Sequence, residues 1–221
     1  MTKNLTDQAY KQILTKIIDL DYYPGQKISE KNIEKDLNIG RTPVREALLR
    51  LKEQGLINTI PKSGTYVSLI EMDRVSDALN VRRTLELSIM QEASNTTFSD
   101  DEVTRMKTLL KEENEAIAED NVSKFFDLYD EYHKFFYINT KHMMIWNWLQ
   151  NVNIYFYRIV VLCLRSDQVT WKQIVEYDKK ILDAVMMQNS EKVAEYLKQE
   201  LLLSPERKEG LIDTYSKYFD L

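Results

Sequence analysis

The rhythm of apolar and polar positions changes near residue 70. From residue 71 onward, apolar side chains recur at i, i+3, i+4 and i+7 almost throughout, the period that lines one face of an α-helix. The pattern lapses at "NTTFSDD", "EDNVS", "NTKHM", "RSDQVT", "QNSEK" and "LLSPERKEG", which divides this part into six or seven helices and leaves no convincing strand. Ser99, with Glu102 three residues on, has the spacing of a capping box, and Ser190 with Val193 is read as a further helix start. The most apolar run, "IYFYRIVVLCL", is interrupted by Arg158 and is shorter than the roughly 20 residues that span a bilayer. Apolar nearly all round, it reads as the central helix of a bundle.

The first seventy residues are organised differently. "TDQAYKQILTKIIDL" places Ile13, Ile17 and Leu20 on one helical face, and "YYPGQ" offers Pro24 and Gly25 as the central pair of a type II turn. Ser29 is expected to cap a second helix that buries Ile33 and Leu37. After the turn "NIG", Thr42 is the expected N-cap of a third helix, with Pro43 at its first position, where the missing N–H costs nothing. That helix turns Val44, Leu48 and Leu51 inward and Arg41, Arg45, Leu49 and Lys52 outward, and Gly55 ends it as a C′ residue. "LINTIPKSGTYVSLI" then reads as two short β runs around the turn "PKSG". The expected fold is mainly α: a winged helix-turn-helix of three helices and a β-hairpin over 1–70, then an all-α antiparallel bundle of six or seven helices over 71–221.

Composition sharpens the same division. Four of the five glycines and three of the four prolines fall in the first seventy residues, where they punctuate short elements. The formal net charge of −5 is unevenly shared: residues 1–70 hold eleven Lys and Arg against eight Asp and Glu, and the remainder holds nineteen against twenty-seven. An acidic chain therefore conceals a mildly basic front module. A single cysteine, Cys163, forms no internal disulfide and fits a reducing cytosol, and it is expected to be a buried thiol. The N-terminus carries no apolar segment followed by a cleavage site, so no signal peptide is read and a cytoplasmic location is expected. An enzyme would need a nucleophile–base pair, a phosphate-cradling Gly loop or a complete metal set. The helical part, with one glycine and two histidines, provides none of them.

Three helices and a hairpin, with arginines at the start of the third helix, form the layout that places a helix in the major groove. Arginine can donate two hydrogen bonds to guanine O6 and N7, and the free N–H groups at the same helix end attract a phosphate. The string "PGQKISEKNIEKDLNIGRTPVREALLRLKEQGLINTIPKSGTYV" resembles the signature of the GntR family of bacterial transcription regulators, over roughly residues 6 to 70. The resemblance implies base contacts for Arg41 and Arg45, and phosphate contacts for Thr42 and for Lys31 at the start of the second helix. It also implies a minor-groove contact by the wing at Ser63 and Gly64, with Gly40 and Pro43 completing the DNA-facing stretch. Two residues depart from the pattern: Gly40 stands where Ser or Thr is usual, and Leu49 where Arg is common.

The second part resembles the FadR branch of that family, with its all-α, effector-binding FCD domain. The residues that carry this are "VRRTLELSIMQEA", "YDEYHKFFY" and "YDKKILDAVMMQNSEKVAEYLKQEL". Many members of the branch hold a divalent metal with one Asp and three His. Here only His133 matches; Tyr129 precedes it by one turn with Asp130 out of register, and Tyr177 and Glu200 stand at the other histidine positions. Asp130, His133 and Glu200 are weak metal candidates, so no cofactor is expected and a divalent ion is disfavoured. An effector pocket of Arg83, Tyr129, His133, Tyr177 and Glu200 is the preferred reading, with Arg83 as bidentate partner of a carboxylate. The alternatives are a salt bridge between Arg83 and Glu86, and His133 as a core imidazole bonded to Tyr177 or Glu200. His142 falls in an apparent loop and receives no role. The aromatics, among them Phe125, Phe126, Tyr132, Phe135, Phe136, Trp146, Trp148, Tyr155 and Tyr157, are read mainly as core.

Taken together, the chain is expected to be a ligand-responsive repressor without enzymatic activity. Its partners would be double-stranded DNA with a palindromic operator, a small organic acid and a second copy of itself, with no membrane. The rivals are a metal-sensing regulator and a module that uses its winged helix for protein contacts.

Overall fold

A computed structural model describes residues 2–166, 170–200 and 204–221. The N-terminal part runs α1 (Thr2–Ile18), β1 (Lys27–Ile28), α2 (Glu30–Leu37), α3 (Arg41–Glu53), β2 (Ile57–Ile60) and β3 (Gly64–Val67). The chain continues through β4 (Ile70–Glu71), α4 (Met72–Ala93), α5 (Asp100–Ala118), α6 (Val122–Asn139) and α7 (Met143–Arg165). It ends with α8 (Trp171–Met186), α9 (Ser190–Glu200), α10 (Pro205–Thr214), a 3₁₀ turn and β5 (Phe219–Asp220). The expected winged helix-turn-helix and helical bundle are both present.

The local signals act largely as read. The Gln26 amide donates to the Tyr23 carbonyl at 3.0 Å, closing the turn over Pro24 and Gly25, with Gly25 at φ +81°. Ser29 caps α2 by accepting from the Asn32 amide, and Ser99 and Glu102 form a complete capping box on α5. Val44 and Leu51 of α3 are fully buried, packed with Ile13 and Ile17 of α1 and Ile33 of α2.

The hairpin β2–β3 is antiparallel, with Thr59 opposite Thr65 and Ile60 opposite Gly64. Its far edge is covered by β1, which the sequence did not suggest: Lys27 lies opposite Tyr66 in a sheet of order β1-β3-β2. Two residues are enough, because the turn after Pro24 delivers them directly onto β3.

Two expected elements need correction. The cap of α3 is Gly40, not Thr42: the Val44 amide donates to the Gly40 carbonyl at 3.3 Å, so Arg41 opens the helix and Pro43 is its third residue. Helix α9 starts at Ser190, as read, and Asn189 caps it, its side chain accepting from the Lys192 amide. The second part also contains a strand: β5 pairs in parallel with β4, Ile70 opposite Phe219. This brings the C-terminal residues back to the junction of the two parts, where Ile70, Val75, Leu162, Leu211 and Phe219 share a small core.

The bundle core is aromatic, with Phe125, Tyr129, Tyr132, Phe136 and Tyr137 of α6 fully or almost fully buried. Cys163 is a buried thiol, as expected. Trp148 departs from the core reading, since it is 62% exposed. Among the described residues no helix is long and apolar enough to cross a membrane.

Burial separates two leucines on α3. Leu51→Ala is expected to destabilise the N-terminal part by about 2–5 kcal/mol through the cavity it leaves. Leu49, which is 52% exposed, should tolerate the same change within about 0.5 kcal/mol. Urea unfolding of the two variants, followed by circular dichroism, measures the difference.

Candidate functional site

The outward face of the N-terminal part is built around the start of α3. Asn38, at φ +52°, turns the chain out of α2, and Gly40 opens α3 with no side-chain cap. The first-turn amides are therefore not taken by a local hydroxyl, which leaves them able to meet an anion. Arg41, Thr42 and Arg45 are exposed there, and Lys31 is exposed at the start of α2. Pro43 is buried, so it shapes the turn from inside and offers no surface to a duplex. Arg41 is held at 3.2 Å from Glu30 Oε2, a contact with a solvated pair that a guanine or phosphate can replace. Arg50, on the same helix, points the other way: it pairs with Asp7 at 2.7 Å and stacks on Tyr10.

The wing completes this face. Ser63 Oγ and Tyr66 Oη lie 2.7 Å apart, and Gly64 sits at φ +143°. A Cβ on Gly64 would come within 2.6 Å of Lys27 Cε, so glycine here permits both the backbone angle and the approach of Lys27 to the wing. Lys27 is a basic member of this surface that the sequence reading missed. Its signal lay in the strand β1, two residues too short to recognise. Arg45, Leu49 and Lys52 line a groove between α3 and the sheet, with Thr59 and Thr65 on the opposite wall.

The second site lies inside the bundle. Arg82, Glu86, His133 and Asp178 are fully buried around one point. Arg82 Nη2 is 2.6 Å from Glu86 Oε1, its Nη1 donates to Asn153 Oδ1 at 3.0 Å, and its Nη2 donates to Tyr129 Oη at 3.1 Å. The guanidinium also lies over the Tyr129 and Phe156 rings, at 5.0 and 4.6 Å. His133 Nδ1 faces Glu86 Oε1 at 3.1 Å and its Nε2 faces Asp178 Oδ1 at 3.5 Å. Tyr132 Oη donates to the Asp178 carbonyl at 2.6 Å. Asn153 Nδ2 donates to Tyr157 Oη at 3.2 Å, and Tyr157 in turn donates to Asp130.

Two of the expected pocket residues are displaced by one position. Arg82, not Arg83, enters the cluster and pairs with Glu86; Arg83 is half-buried. Asp178, not Tyr177, faces His133; Tyr177 is half-buried and lies under Lys180. Tyr129 and His133 are where the sequence placed them. The Glu200 side chain lies outside the described residues. His142 caps α7 and bonds Glu92 at 3.0 Å.

Burial sets the electrostatics. Burial alone pushes the Glu86 carboxyl up, but the charges of Arg82 and His133 and their hydrogen bonds outweigh it and hold it below the ordinary carboxylate range. His133 is pulled down by burial, yet Glu86 and the bonds to Asp178 and Glu86 raise it to about 10. Burial raises Asp178 and Asp130, more than their cationic neighbours lower them. The cluster thus sets a guanidinium and an imidazolium against Glu86, with Asp178 and Asp130 held by burial above the ordinary carboxylate range.

Among the described residues, those of the cluster do not fit a divalent ion. A metal-bound imidazole must be neutral and present a free nitrogen, whereas both nitrogens of His133 are directed at carboxylates on opposite sides. The Arg82 guanidinium occupies the space beside Glu86 that a cation would need. Among the described residues, no group of three or more His, Cys, Asp and Glu is placed to hold a metal.

A raised His133 pKa makes a directional prediction. Its folded-state value of about 10 lies above the ordinary value near 6.5, so its stabilising contribution is complete below pH 6.5 and is lost as pH rises through about 10. The stability gap between the parent and His133→Gln should narrow steadily from pH 6.5 to pH 10, in urea unfolding at each pH. Imidazole NMR of the parent should show one ring still protonated at pH 8.5.

Both parts of the chain match known families. Residues 5–67 match the model described as bacterial regulatory proteins, gntR family, and residues 77–202 match the FCD domain. The HTH-type transcriptional repressor RspR of Escherichia coli is 24% identical over 208 residues, covering 90% of this chain and 91% of that protein. The Bacillus subtilis regulator YdhC is 23% identical over 193 residues, 86% and 84% of the two chains. The solved structure of E. coli McbR/YncC aligns with a TM-score of 0.75 at 17% identity, over 96% of this chain and 98% of that one. A GntR regulator from Rhodococcus sp. RHA1 aligns with a TM-score of 0.72 at 19% identity, over 95% and 98%. The exposed arginines and wing lie in the gntR-type DNA-binding domain, the buried cluster lies in the FCD domain, and the chain belongs to the GntR family of bacterial transcription regulators, in the group that carries an FCD domain.

Proposed function

We propose that this regulator is a repressor that grips a palindromic operator as a homodimer and releases it when a small carboxylate-bearing metabolite enters the bundle, with no metal required. The observation that carries the DNA-binding half is the single exposed face formed by Lys31, Arg41, Thr42, Arg45 and the wing. Thr42 and Lys31 suit phosphates; Arg41 and Arg45 suit guanine edges. Gly40 adds no hydroxyl to this grip and Pro43 supports it from within. A two-fold protein mirrors itself in a two-fold operator.

The carboxylate preference is supported by the two buried cations, Arg82 and His133. A planar guanidinium matches a carboxylate bidentately, and an arriving carboxylate can take the place of Glu86 as its partner. A groove of about 530 Å³ between α5, α6 and α7 reaches Asp130 and offers a route of approach; Lys134 stands on its walls beside Asp127, and Arg105 is paired there with Glu131. Repression is the activity named for the E. coli relative. Effector and operator then oppose each other reciprocally, because each binds a different arrangement of the same dimer.

Three outcomes are expected. Arg45→Ala removes about 1–3 kcal/mol of discrimination between operator and random duplex, while binding to random duplex changes little. Lys31→Ala weakens both alike and lowers the slope of log K against log salt by about one. Fluorescence anisotropy across a salt series separates the two effects. In a panel of small mono- and dicarboxylates titrated at fixed salt, at least one should release the operator; a panel without effect removes the carboxylate reading.

A further inference from the structure

Helix α7 is buried along two opposite stripes. Asn153, Phe156 and Tyr157 face the ionic cluster, where Asn153 receives Arg82 Nη1 at 3.0 Å. Tyr155, Arg158 and Arg165 project from another side of the same helix, three and seven residues apart, and each donates to a backbone carbonyl of the N-terminal part. Tyr155 Oη donates to Gln54 at 2.7 Å, Arg158 Nη2 to Ser68 at 2.6 Å, and Arg165 to Asp19. Beside them, Ile154 is 5% exposed and lies in the core of the reading head with Leu48 and Leu51 of α3.

The Tyr155 contact falls at a telling place. Gln54 is the C-cap of α3, so its carbonyl sits at the end of the recognition helix itself. Arg74 braces the tyrosine: its Nη1 donates to Tyr155 Oη at 3.1 Å, while its Nε is held by Glu71 at 2.9 Å. Gly55, next in the chain, is at φ +72°, and a Cβ there would lie 2.6 Å from Arg74 Nη1 and 3.3 Å from Tyr155 Oη. The clasp is seated on the residue that ends α3. A helix-end carbonyl has no partner within its helix, and its bond to Tyr155 is directional, so α3 cannot tilt against α7 without breaking it.

We propose that Tyr155 is a positioning residue: through Gln54 it sets the angle at which α3 is presented to DNA, and α7 ties that angle to the Arg82–Asn153 contact in the ionic cluster. This rests on the reading of α3 as the groove-entering helix of a homodimer. In such a dimer the two helices must meet half-sites at one separation, because each added base pair rotates the second half-site by about a tenth of a turn. A clasp that fixes the angle makes binding sensitive to that separation, and leaves the reading of bases within a half-site to Arg41 and Arg45.

The test uses the full chain and an operator obtained by in-vitro selection, rebuilt with one or two base pairs added to or removed from its centre. The parent should lose about tenfold in affinity or more for each altered spacer. Tyr155→Phe should lose about threefold or less, while paying the parent's full penalty for a base change inside a half-site. Asn153→Ala should flatten the spacer profile in the same direction. Arg74→Gln, which removes the brace at an exposed position, gives a second route to the same loss should the phenylalanine variant unfold. Thermal unfolding establishes that each variant is folded. A spacer profile as steep as the parent's in both Tyr155→Phe and Arg74→Gln overturns the proposal, as does a loss of base discrimination in step with spacer tolerance, the signature of a damaged α3. A parental profile in Asn153→Ala overturns the link to the cluster. If the parent itself binds no duplex in a salt-dependent manner, the DNA reading fails first, an outcome visible without any variant.

Discussion

A helix that must be buried on two sides organises this molecule. α7 runs from Met143 to Arg165 without one Asp, Glu or Lys, because neither a bundle core nor an interdomain seam tolerates an unpaired charge. Its two arginines are the exceptions, and both bond main-chain carbonyls of the N-terminal part. Their acceptors are main-chain carbonyls, so these bonds do not depend on the side chains of residues 19 and 68.

The same low-dielectric interior explains the form of the ionic cluster. A buried guanidinium is costly unless its charge and its donors are met. Arg82 meets a carboxylate, an amide oxygen, a phenol and two aromatic faces. His133 joins as an imidazolium because Glu86 carries a charge it can answer. Where relatives of this branch are expected to place an ion among histidines, this chain holds two organic cations among carboxylates and phenols. Removing one partner leaves an uncompensated buried charge, so the cluster holds together as a unit.

The elements of the reading head were legible because each rests on a local rule. Proline and glycine in succession specify a turn, a serine before an amphipathic run specifies a cap, and a glycine after one ends it. The exposed arginines follow from the inward stripe of Val44, Leu48 and Leu51, whose spacing leaves them no other side. The cap of α3 was misplaced because Thr42 and Gly40 both suit a helix start, and the choice depends on where α2 releases the chain. The strands β1, β4 and β5, two residues each, have no periodicity to detect; they exist because other segments arrive beside them.

Read alone, the chain divides into a basic, turn-rich module and an acidic helical one, fixes the order of the main helices, and leaves Arg41 and Arg45 on an outward face. Those properties follow from spacing along one chain. It did not determine which of two adjacent polar residues enters the bundle. Arg82 and Arg83, or Tyr177 and Asp178, differ by about 100° around a helix of 3.6 residues per turn, less than the ambiguity of a broad apolar stripe. Only the packing of α4, α6, α7 and α8 against one another resolved it, placing Arg82 and Asp178 inside. The seam through Tyr155 was likewise decided by tertiary structure, since residues 54 and 155 are joined by no pattern in the sequence, only by the burial of the helix that brings them together.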